Sequence, residues 1–380
     1  MYQQSQQMIE TKSSNDILFS EFINFTRFPL IVLVVLIHSH FTPYGYRLPY
    51  NSYISEFPLY CNVSYLFSEL IARVAVPLFF CVSGYLFFKK NSRGYSIEDY
   101  KSKIRTRVYS LVIPYFFWNI LVFILTFLLQ ISISKGGDDT ILNYSVTDFF
   151  RIFWDIRNGM PFCYQLWFIR DLIVITFISP IIYFLLKINT ISLFVLILFA
   201  VWWLVDIDNV RWYLNSQSVF FFCLGAYCAI HQIDIVAKVQ RMKSMSYLVS
   251  LASVAFIMFS FNDGQFYEYN IVLRQCIYHF CVLSLLFAFT NICIDNIKNK
   301  RWSVNKFLLN STFFIYAYHA IVLGYCYHFL NLFFHNKSDV YYLAMYFLLP
   351  TIVIIAGLLI FKCLQKRLPN FAAIITGGRI

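Results

Sequence analysis

Residues 23–41 of this 380-residue chain read INFTRFPLIVLVVLIHSHF, and this stretch decides the class of fold. Most of it is apolar, and a helix that spans a bilayer needs about 20 such residues. Two ionisable side chains, Arg27 and His38, stand near its two ends. The stretch therefore predicts a transmembrane helix that carries charged or titratable groups.

The composition of the whole chain supports the same interpretation. Hydrophobic residues make up 59% of the sequence and aromatic residues 21%, while only 13% are charged. An ordinary soluble domain is about 25% charged. A chain with so few charges is not expected to be disordered, a disulfide-rich secreted scaffold, a collagen-like fibre or a coiled coil. We interpret the net charge of +11 as membrane topology rather than nucleic-acid binding.

Ten segments are long and apolar enough to be predicted as membrane-spanning helices. They are residues 21–41, 66–88, 107–132, 165–186, 190–207, 217–231, 245–261, 271–292, 307–331 and 340–362. The two weakest are 190–207, which ends in two aspartates, Asp206 and Asp208, and 217–231, which is short. The sequence therefore predicts an all-α, polytopic membrane protein with about ten transmembrane helices.

Lysine and arginine are concentrated in the loops on one side of this predicted bundle. That side carries Lys89, Lys90, Arg93, Lys101, Lys103, Arg105, Lys238, Arg241, Lys243, Lys298, Lys300, Arg301, Lys306, Lys366 and Arg367. The other side carries Arg47, Lys135, Arg151, Arg157, Arg211 and Lys337. Because basic loops stay in the cytoplasm, both termini are predicted to be cytoplasmic. A membrane domain at 21–362 then lies between cytoplasmic segments at 1–20 and 363–380, and no signal peptide is apparent.

Ionisable side chains inside the predicted spans are candidates for function, because an unpaired charge in hydrocarbon is costly. They are Arg27, His38, Glu69, Arg73, Arg170, Asp171, Arg274, His279 and His319. Arg27 is placed near the cytoplasmic end of the first span, with His38 about 16 Å further towards the outer face. Glu69 and Arg73 are spaced i,i+4 and are expected to pair. These groups predict a polar cavity that opens outwards, which a transporter, a channel or a transferase would each use.

Several of these residues also have a structural interpretation. Arg170 and Asp171 suit an interfacial anchor, and His279 suits a hydrogen-bonded core histidine. The ten cysteines have no metal-ligand spacing, and no metal site is predicted. Cys61 and Cys163 alone fall in or near outer loops, and the sequence leaves open whether they pair.

Five local patterns occur in order along the chain. They are INFTRFPLIVLVVLIHSHF at 23–41, IARVAVPLFFCVSGYLFFKK at 71–90, IPYFFWN at 113–119, LWFIRDLIV at 166–174 and STFFIYAYHAIV at 311–322. From about residue 20 to 365 the chain resembles the acyltransferase-3 family of bacterial integral-membrane O-acyltransferases. The resemblance implies a multi-pass protein of the bacterial cytoplasmic (inner) membrane. It also implies transfer of an acyl group, usually acetyl, from cytoplasmic acyl-CoA to a hydroxyl on an outer-face glycan or lipid-linked saccharide.

The resemblance also assigns residues. His38 matches the essential histidine of the family, Arg27 matches its partner arginine, and Arg73 matches a recurrent position. Some members carry an Arg-x-x-Arg pair where the third span begins. The stretch KSKIRTRVYSLVIPY of this chain has Arg105 and Arg107 without that spacing. We expect a basic contact with CoA there, with Arg27, Arg105 and Arg107 as the donor-binding residues.

Within that reaction, His38 is expected to act as general base or as a covalent acyl carrier, and the sequence leaves both open. Arg73, Arg170 and Arg274 are candidates for stabilising the oxyanion, and the sequence leaves the choice among them open. Supporting or substrate-binding roles are expected for Glu69, Arg170, Asp171, Arg274, His279 and His319. The alternative from another class is a transporter or flippase that uses the same charges as a proton or substrate relay. A family member that binds acyl-CoA or glycan without chemistry is a third interpretation. The partners expected are the bilayer and a glycan acceptor, with no nucleic acid, and the oligomeric state is not specified.

Overall fold

All regular elements that the structure describes are helices, as the all-α prediction required. The computed structural model describes residues 2–40, 50, 53–91, 94–133, 141, 144–155, 159–205, 214–264, 268–333 and 338–380. The α-helices are α1 (Tyr2–Ile37), α2 (Pro58–Ser64), α3 (Ala75–Phe88), α4 (Ile97–Arg107), α5 (Ile113–Ile133), α6 (Val146–Arg151), α7 (Trp167–Phe177), α8 (Ser179–Leu186), α9 (Asn189–Val205), α10 (Ser216–Ile230), α11 (Ile235–Arg241), α12 (Lys243–Asn262), α13 (Ile271–Lys298), α14 (Lys306–Phe333), α15 (Asp339–Arg367) and α16 (Pro369–Thr376). Several residues used above for topology lie outside the described residues: Arg47, Arg93, Lys135, Arg157, Arg211, Lys337, Asp206 and Asp208.

The predicted spans coincide with helices, although the number of crossings is approximate. By length and composition, seven of the described helical stretches can cross a bilayer alone. Two bent pairs bring the number to nine: Tyr164–Phe177 with Ser179–Leu186 at 67°, and Ser216–Ile230 with Ile235–Arg241 at 114°. The segment predicted at 190–207 corresponds to the shorter apolar helix α9. The two segments with the weakest sequence signal are thus a short helix and a bent pair.

The helix bundle is apolar on its outside and polar at points inside. Leu248 and Phe259 on α12 are each 72% exposed, whereas Asn119 and Asn291 are fully buried. A protein surrounded by water shows the opposite preference. Lipid as the surrounding solvent explains the arrangement, because buried polar groups find hydrogen-bond partners only inside the bundle. The chain is a multi-pass membrane protein.

The second predicted span begins irregularly. After α2 it continues as a π-helical segment, Tyr65–Ile71, and a 3-10 turn, Ala72–Val74, before α3 starts. π-Helical turns inside α-helices are rare and are often found at functional sites. This irregular stretch carries Glu69 and Arg73, the two charged residues predicted to pair.

Helices α3 and α10 touch through their backbones at two glycines. A Cβ atom on Gly84 would lie 2.0 Å from the carbonyl oxygen of Phe222. A Cβ atom on Gly225 would lie 1.8 Å from the carbonyl oxygen of Cys81. Only glycine fits at either position, and small residues allow this close helix packing in membranes. The contact holds α3 in place against α10. Another face of α3 lines the cavity that is described next.

Candidate active site

A cavity of about 290 Å³ lies along α1. One face of that helix lines it, with side chains three or four residues apart: Ile23, Thr26, Arg27, Leu30, Ile31, Val34, Ile37 and His38. At 1.5 Å per residue this face is about 22 Å long. Other polar lining residues come from distant parts of the chain: Arg73, Ser83, Arg107, Gln165, Thr312, Tyr316 and Arg379. The cavity therefore has a mostly apolar middle and a charged or polar group at each end.

His38 occupies one end of the cavity, directly after the last residue of α1. Its backbone N–H donates to the carbonyl oxygen of Val35 at 3.1 Å. Its ring Nδ1 lies 3.4 Å from the hydroxyl of Tyr164, and its ring centroid lies 5.2 Å from that of His319. Among the described residues, Nε2 of His38 has no hydrogen-bond partner. That nitrogen is available to a molecule in the cavity.

His319 stands behind His38 and is fully buried. Its Nδ1 lies 3.1 Å from the carbonyl oxygen of Ile315 and 2.7 Å from that of Tyr316. Since carbonyl oxygens only accept, Nδ1 carries the proton in the neutral ring and Nε2 is the acceptor. Nε2 has no hydrogen-bond partner among the described residues. The sequence placed His319 in a supporting role, and the structure sets it against His38.

Arg73 lines the same end of the cavity and pairs with Glu69. The Nη2 atom of Arg73 lies 2.5 Å from Oε2 of Glu69, so the predicted i,i+4 pair is confirmed. The two side chains are 38% and 24% exposed. Arg73 and His38 line the same cavity. A positive group therefore faces the cavity that holds the histidine, while Glu69 balances the charge.

The other end of the cavity carries three arginines, Arg27, Arg107 and Arg379, which we call the arginine cluster. They come from α1, from the end of α4 and from the residues after α16. None of them forms an ion pair with a carboxylate among the described residues. Instead the guanidinium of Arg107 lies 5.7 Å from the ring centroid of Phe87, and that of Arg379 lies 4.7 Å from Phe313. Unpaired positive charge in one place makes this end suited to an anion.

Arg379 was not among the residues that the sequence singled out. The tail 363–380 was predicted only as a cytoplasmic segment, whereas α15 continues to Arg367 and α16 packs against the bundle. Burial and the neighbouring charges of Arg27 and Arg107 lower the pKa of Arg379 to about 10. No local motif marks this arginine, because its position depends on how α16 folds back.

Arg170 and Asp171 form a buried pair that does not line the cavity. Nε and Nη2 of Arg170 lie 3.0 and 2.6 Å from Oδ1 of Asp171. Oδ2 of Asp171 accepts from the backbone N–H of Asn215 at 3.2 Å and from the hydroxyl of Ser218 at 2.6 Å. The guanidinium of Arg170 also lies 5.2 Å from the ring centroid of Trp154. The pair ties α7 to the start of α10, so its visible role is structural.

Three other predicted residues lie away from the cavity. Nδ1 of His279 lies 3.4 Å from the carbonyl oxygen of Leu204, and its ring packs on Trp203 with centroids 4.5 Å apart. Arg274, on the same helix, is partly buried and does not line the cavity. Arg105 is exposed, although Arg107 two residues later lines the cavity. The structure thus separates the two arginines that sequence had grouped.

Gln165 is a lining residue that the sequence did not identify. Its Nε2 donates to the carbonyl oxygen of Ala317 at 2.9 Å, and its own backbone carbonyl accepts from the Tyr316 hydroxyl. These bonds join the start of the fourth span to the middle of α14 and so hold Tyr164 beside His38. The only signal in sequence was the position of Gln165, directly before the LWFIRDLIV pattern.

In the part of the chain that the structure describes, no group of three His, Cys, Asp or Glu side chains could hold a metal ion. Cys61 and Cys163, whose pairing the sequence left open, are both buried free thiols.

Comparisons with known proteins found a family model and a curated relative that match this chain. A family model described as an acyltransferase domain matches residues 20–362. The succinoglycan biosynthesis protein ExoH of Rhizobium meliloti (strain 1021) is 22% identical over 215 residues. That match covers 56% of this chain and 55% of the relative, so the chain spans about half the length of that protein. No solved structure matches the chain.

The family match includes the whole of the α1 face from Ile23 to His38 and ends before Arg379. It therefore contains both ends of the cavity, apart from one member of the arginine cluster. Because it extends over most of the sequence, the chain belongs to the acyltransferase-3 family.

Proposed function

We propose that the protein is an acyl-CoA-dependent membrane O-acyltransferase of the bacterial cytoplasmic membrane. It moves an acyl group, in the favoured case acetyl, to a hydroxyl of an extracytoplasmic glycan or lipid-linked saccharide. One observation carries the proposal. A single cavity joins an arginine cluster without carboxylate partners to a histidine whose Nε2 is available to substrate.

The arginine cluster suits the phosphate groups of CoA. Guanidinium groups bind phosphates through paired, charge-assisted hydrogen bonds, and they keep their charge at all physiological pH values. Three such groups without carboxylate partners repel one another in a partly buried site. An anionic ligand bound between them would relieve this repulsion. The predicted orientation places this end towards the cytoplasm, where acyl-CoA is made.

The middle of the cavity suits the narrow pantetheine arm. Leu30, Ile31 and Val34 line it from α1, and Val76 and Phe79 face them from α3. An arm that enters from the arginine cluster and follows α1 from Arg27 to His38, about 16 Å by helical rise, would bring its thioester to His38. The nucleotide end then stays on the cytoplasmic side while the acyl group reaches the other side.

His38 is proposed to act as the general base. Its Nε2 takes the proton from the acceptor hydroxyl as that oxygen attacks the thioester carbonyl. A new C–O ester bond forms, the C–S bond breaks, and the CoA thiolate takes the proton back from the histidine. The negative oxygen of the tetrahedral intermediate needs a positive group, and we propose Arg73 for this role because it lines the same cavity as His38.

A glycan acceptor is supported by the comparison with ExoH. That relative is named for the biosynthesis of succinoglycan, and we take a glycan as the acceptor class on that ground. The predicted topology places His38 towards the outer face, where such an acceptor is assembled.

Binding and transfer test this proposal separately. Acetyl-CoA binding to the full chain in detergent is measured by isothermal titration calorimetry, for the wild type and for His38→Ala. Transfer is measured as labelled acetyl incorporated into precipitable glycan in membranes that contain either protein. We expect His38→Ala to bind acetyl-CoA as the wild type does and to lose about 10²–10⁴-fold in transfer, the range for general base catalysis.

A matched histidine provides the control. Nε2 of His231 donates to the carbonyl oxygen of Leu186 at 2.8 Å, and His231 does not line the cavity. His231→Ala should therefore transfer at the wild-type rate. Full transfer by His38→Ala would remove this histidine as the base. A folded wild-type protein that binds no acyl-CoA would instead favour the transporter interpretation.

A further inference from the structure

Residues 369–380 form a helix and a tight turn that fold back on the bundle. In α16, Ala372, Ile375 and Thr376 are at most 2% exposed. Nε1 of Trp118 on α5 donates to the carbonyl oxygen of Ile375 at 3.0 Å. A segment with this much buried surface is held in place as part of the domain, although it lies beyond the residues that the family model matches.

The turn after α16 depends on glycine. Gly377 has a φ of +65°, and a Cβ atom there would lie 2.4 Å from the carbonyl oxygen of Ser110. Both its conformation and the space around it therefore exclude other residues. The N–H of Gly378 donates to the carbonyl oxygen of Ala373 at 2.7 Å, which ends the helix. The turn therefore fixes the position of the next residue, Arg379, beside the start of the third predicted span.

Arg379 is held by the protein on one side and lines the cavity on another. Its Nη1 donates to the carbonyl oxygens of Thr376 at 2.6 Å and of Ser110 at 3.2 Å. Its guanidinium stacks on the ring of Phe313. An arginine has five N–H groups, so Nε and Nη2 remain after Nη1 is used. A guanidinium fixed in this way loses little conformational entropy when it binds a ligand.

Three arginines from distant segments meet without a carboxylate among the described residues to balance them. The contrast is with Arg73, Arg151 and Arg170, each of which has an acidic partner. Charge of one sign collected at one end of a cavity indicates that the missing partner is an anionic ligand.

We propose that residues 369–380 are part of the donor site and that Arg379 binds a phosphate group of CoA together with Arg27 and Arg107. This inference rests on the proposed function, because the donor is taken to be acyl-CoA. An anionic lipid headgroup offers the same phosphate chemistry. CoA is the favoured source because the cluster opens into the cavity that leads to His38.

The test compares ligands with and without phosphates. CoA and pantetheine, which lacks the phosphates, are titrated into the full-length protein in detergent by isothermal titration calorimetry. Arg379→Ala should weaken CoA binding by about tenfold to a hundredfold, the value of a hydrogen bond to a charged group, and leave pantetheine binding unchanged. The matched control is Arg367→Ala, which removes an exposed arginine of the same tail and should change neither affinity.

A second variant separates binding from folding. Gly377→Val keeps Arg379 but forces a side chain against Ser110, so it should displace the turn and weaken CoA binding as Arg379→Ala does. Both variants are checked by their thermal unfolding midpoint without ligand.

Each outcome has one meaning. Wild-type affinity of Arg379→Ala for CoA would overturn this inference and leave the proposed function standing. Absence of CoA binding by the folded wild type would overturn both. Equal loss of CoA and pantetheine binding would show that the tail supports the cavity wall only. If phosphatidylglycerol in the detergent competes with CoA in the wild type and not in Arg379→Ala, while CoA affinity is unchanged by the substitution, the phosphate is that of a lipid.

Discussion

The arginines inside this molecule are of two kinds, one buried and paired and the others partly buried. Arg170 is 4% exposed at its side chain and is paired with Asp171, which in turn accepts two further hydrogen bonds. Arg27, Arg107 and Arg379 have no carboxylate partner among the described residues and line a cavity instead. A buried charge that the protein balances itself supports the fold. A charge that is left unbalanced indicates a ligand.

The largest effect is expected where the balanced pair is broken. Asp171→Ala would leave Arg170 buried and unpaired, and would remove the acceptor of the Asn215 and Ser218 hydrogen bonds. Removing one partner of a buried ion pair costs about 3–5 kcal/mol of stability. The thermal unfolding midpoint of the purified protein should fall accordingly, with less folded protein recovered.

A double substitution controls for this result. Arg170→Met with Asp171→Leu removes both charges and fills similar volume, so the part of the loss caused by the unpaired charge should return, while the Asn215 and Ser218 hydrogen bonds stay lost. If Asp171→Ala unfolds like the wild type but loses acyl transfer, the pair belongs with the functional charges and the distinction fails.

The next effect tests the unbalanced cluster. Arg27→Ala should weaken CoA binding about tenfold to a hundredfold, because a charge-assisted phosphate contact is lost. It should not lower the unfolding midpoint, since repulsion within the arginine cluster is relieved. Calorimetric titration with CoA and a thermal melt without ligand check the two statements.

Arg105→Ala is the matched control for Arg27→Ala. Arg105 is exposed and lies outside the cavity, although the sequence placed it with the donor-binding residues. Its removal should leave CoA affinity unchanged. Equal weakening by both substitutions would mean that CoA responds to the general positive field of the protein and not to a built site.

The sequence predicted the side of the cavity that one helix forms. Arg27 and His38 fall on one face of α1 because helical periodicity alone relates them. Glu69 and Arg73 were expected to pair for the same reason, and they do. The all-α class followed from composition, since apolar segments of bilayer length leave few other folds.

Features that depend on distant contacts were not predictable from a single sequence. Arg379 reaches the cavity only because α16 folds back and Gly377 permits the turn. Gln165 matters through its bonds to α14, which no local pattern reveals. Arg274 and His279 looked equivalent to the cavity residues, because depth in the membrane does not say which way a helix face points.

At the end of the cavity that holds His38, the group without a partner is a neutral ring, that of His319. Nε2 of His319 has no hydrogen-bond partner among the described residues and its ring lies beside that of His38. We expect His319 to position His38, so His319→Leu should lower kcat by about tenfold, part of the loss that misplacing a reacting group by 1 Å can cause. The KM for acetyl-CoA should stay the same. Partial rescue of kcat by His319→Gln would support the positioning role. A change in KM alone would show instead that His319 binds substrate.

The smallest effect on stability is expected at Arg73, which has an acidic partner and also faces the cavity. Arg73 lines the cavity yet is paired with Glu69, and both side chains are partly exposed. Because both side chains are partly exposed and a glutamine oxygen can still accept from Arg73, Glu69→Gln should lower the unfolding midpoint less than Asp171→Ala does. Transfer should also persist, because Arg73 keeps its charge beside His38. Arg73→Ala, measured in the same glycan assay, should lose most transfer. Equal loss in the two variants would show that the pair, rather than the arginine alone, stabilises the oxyanion.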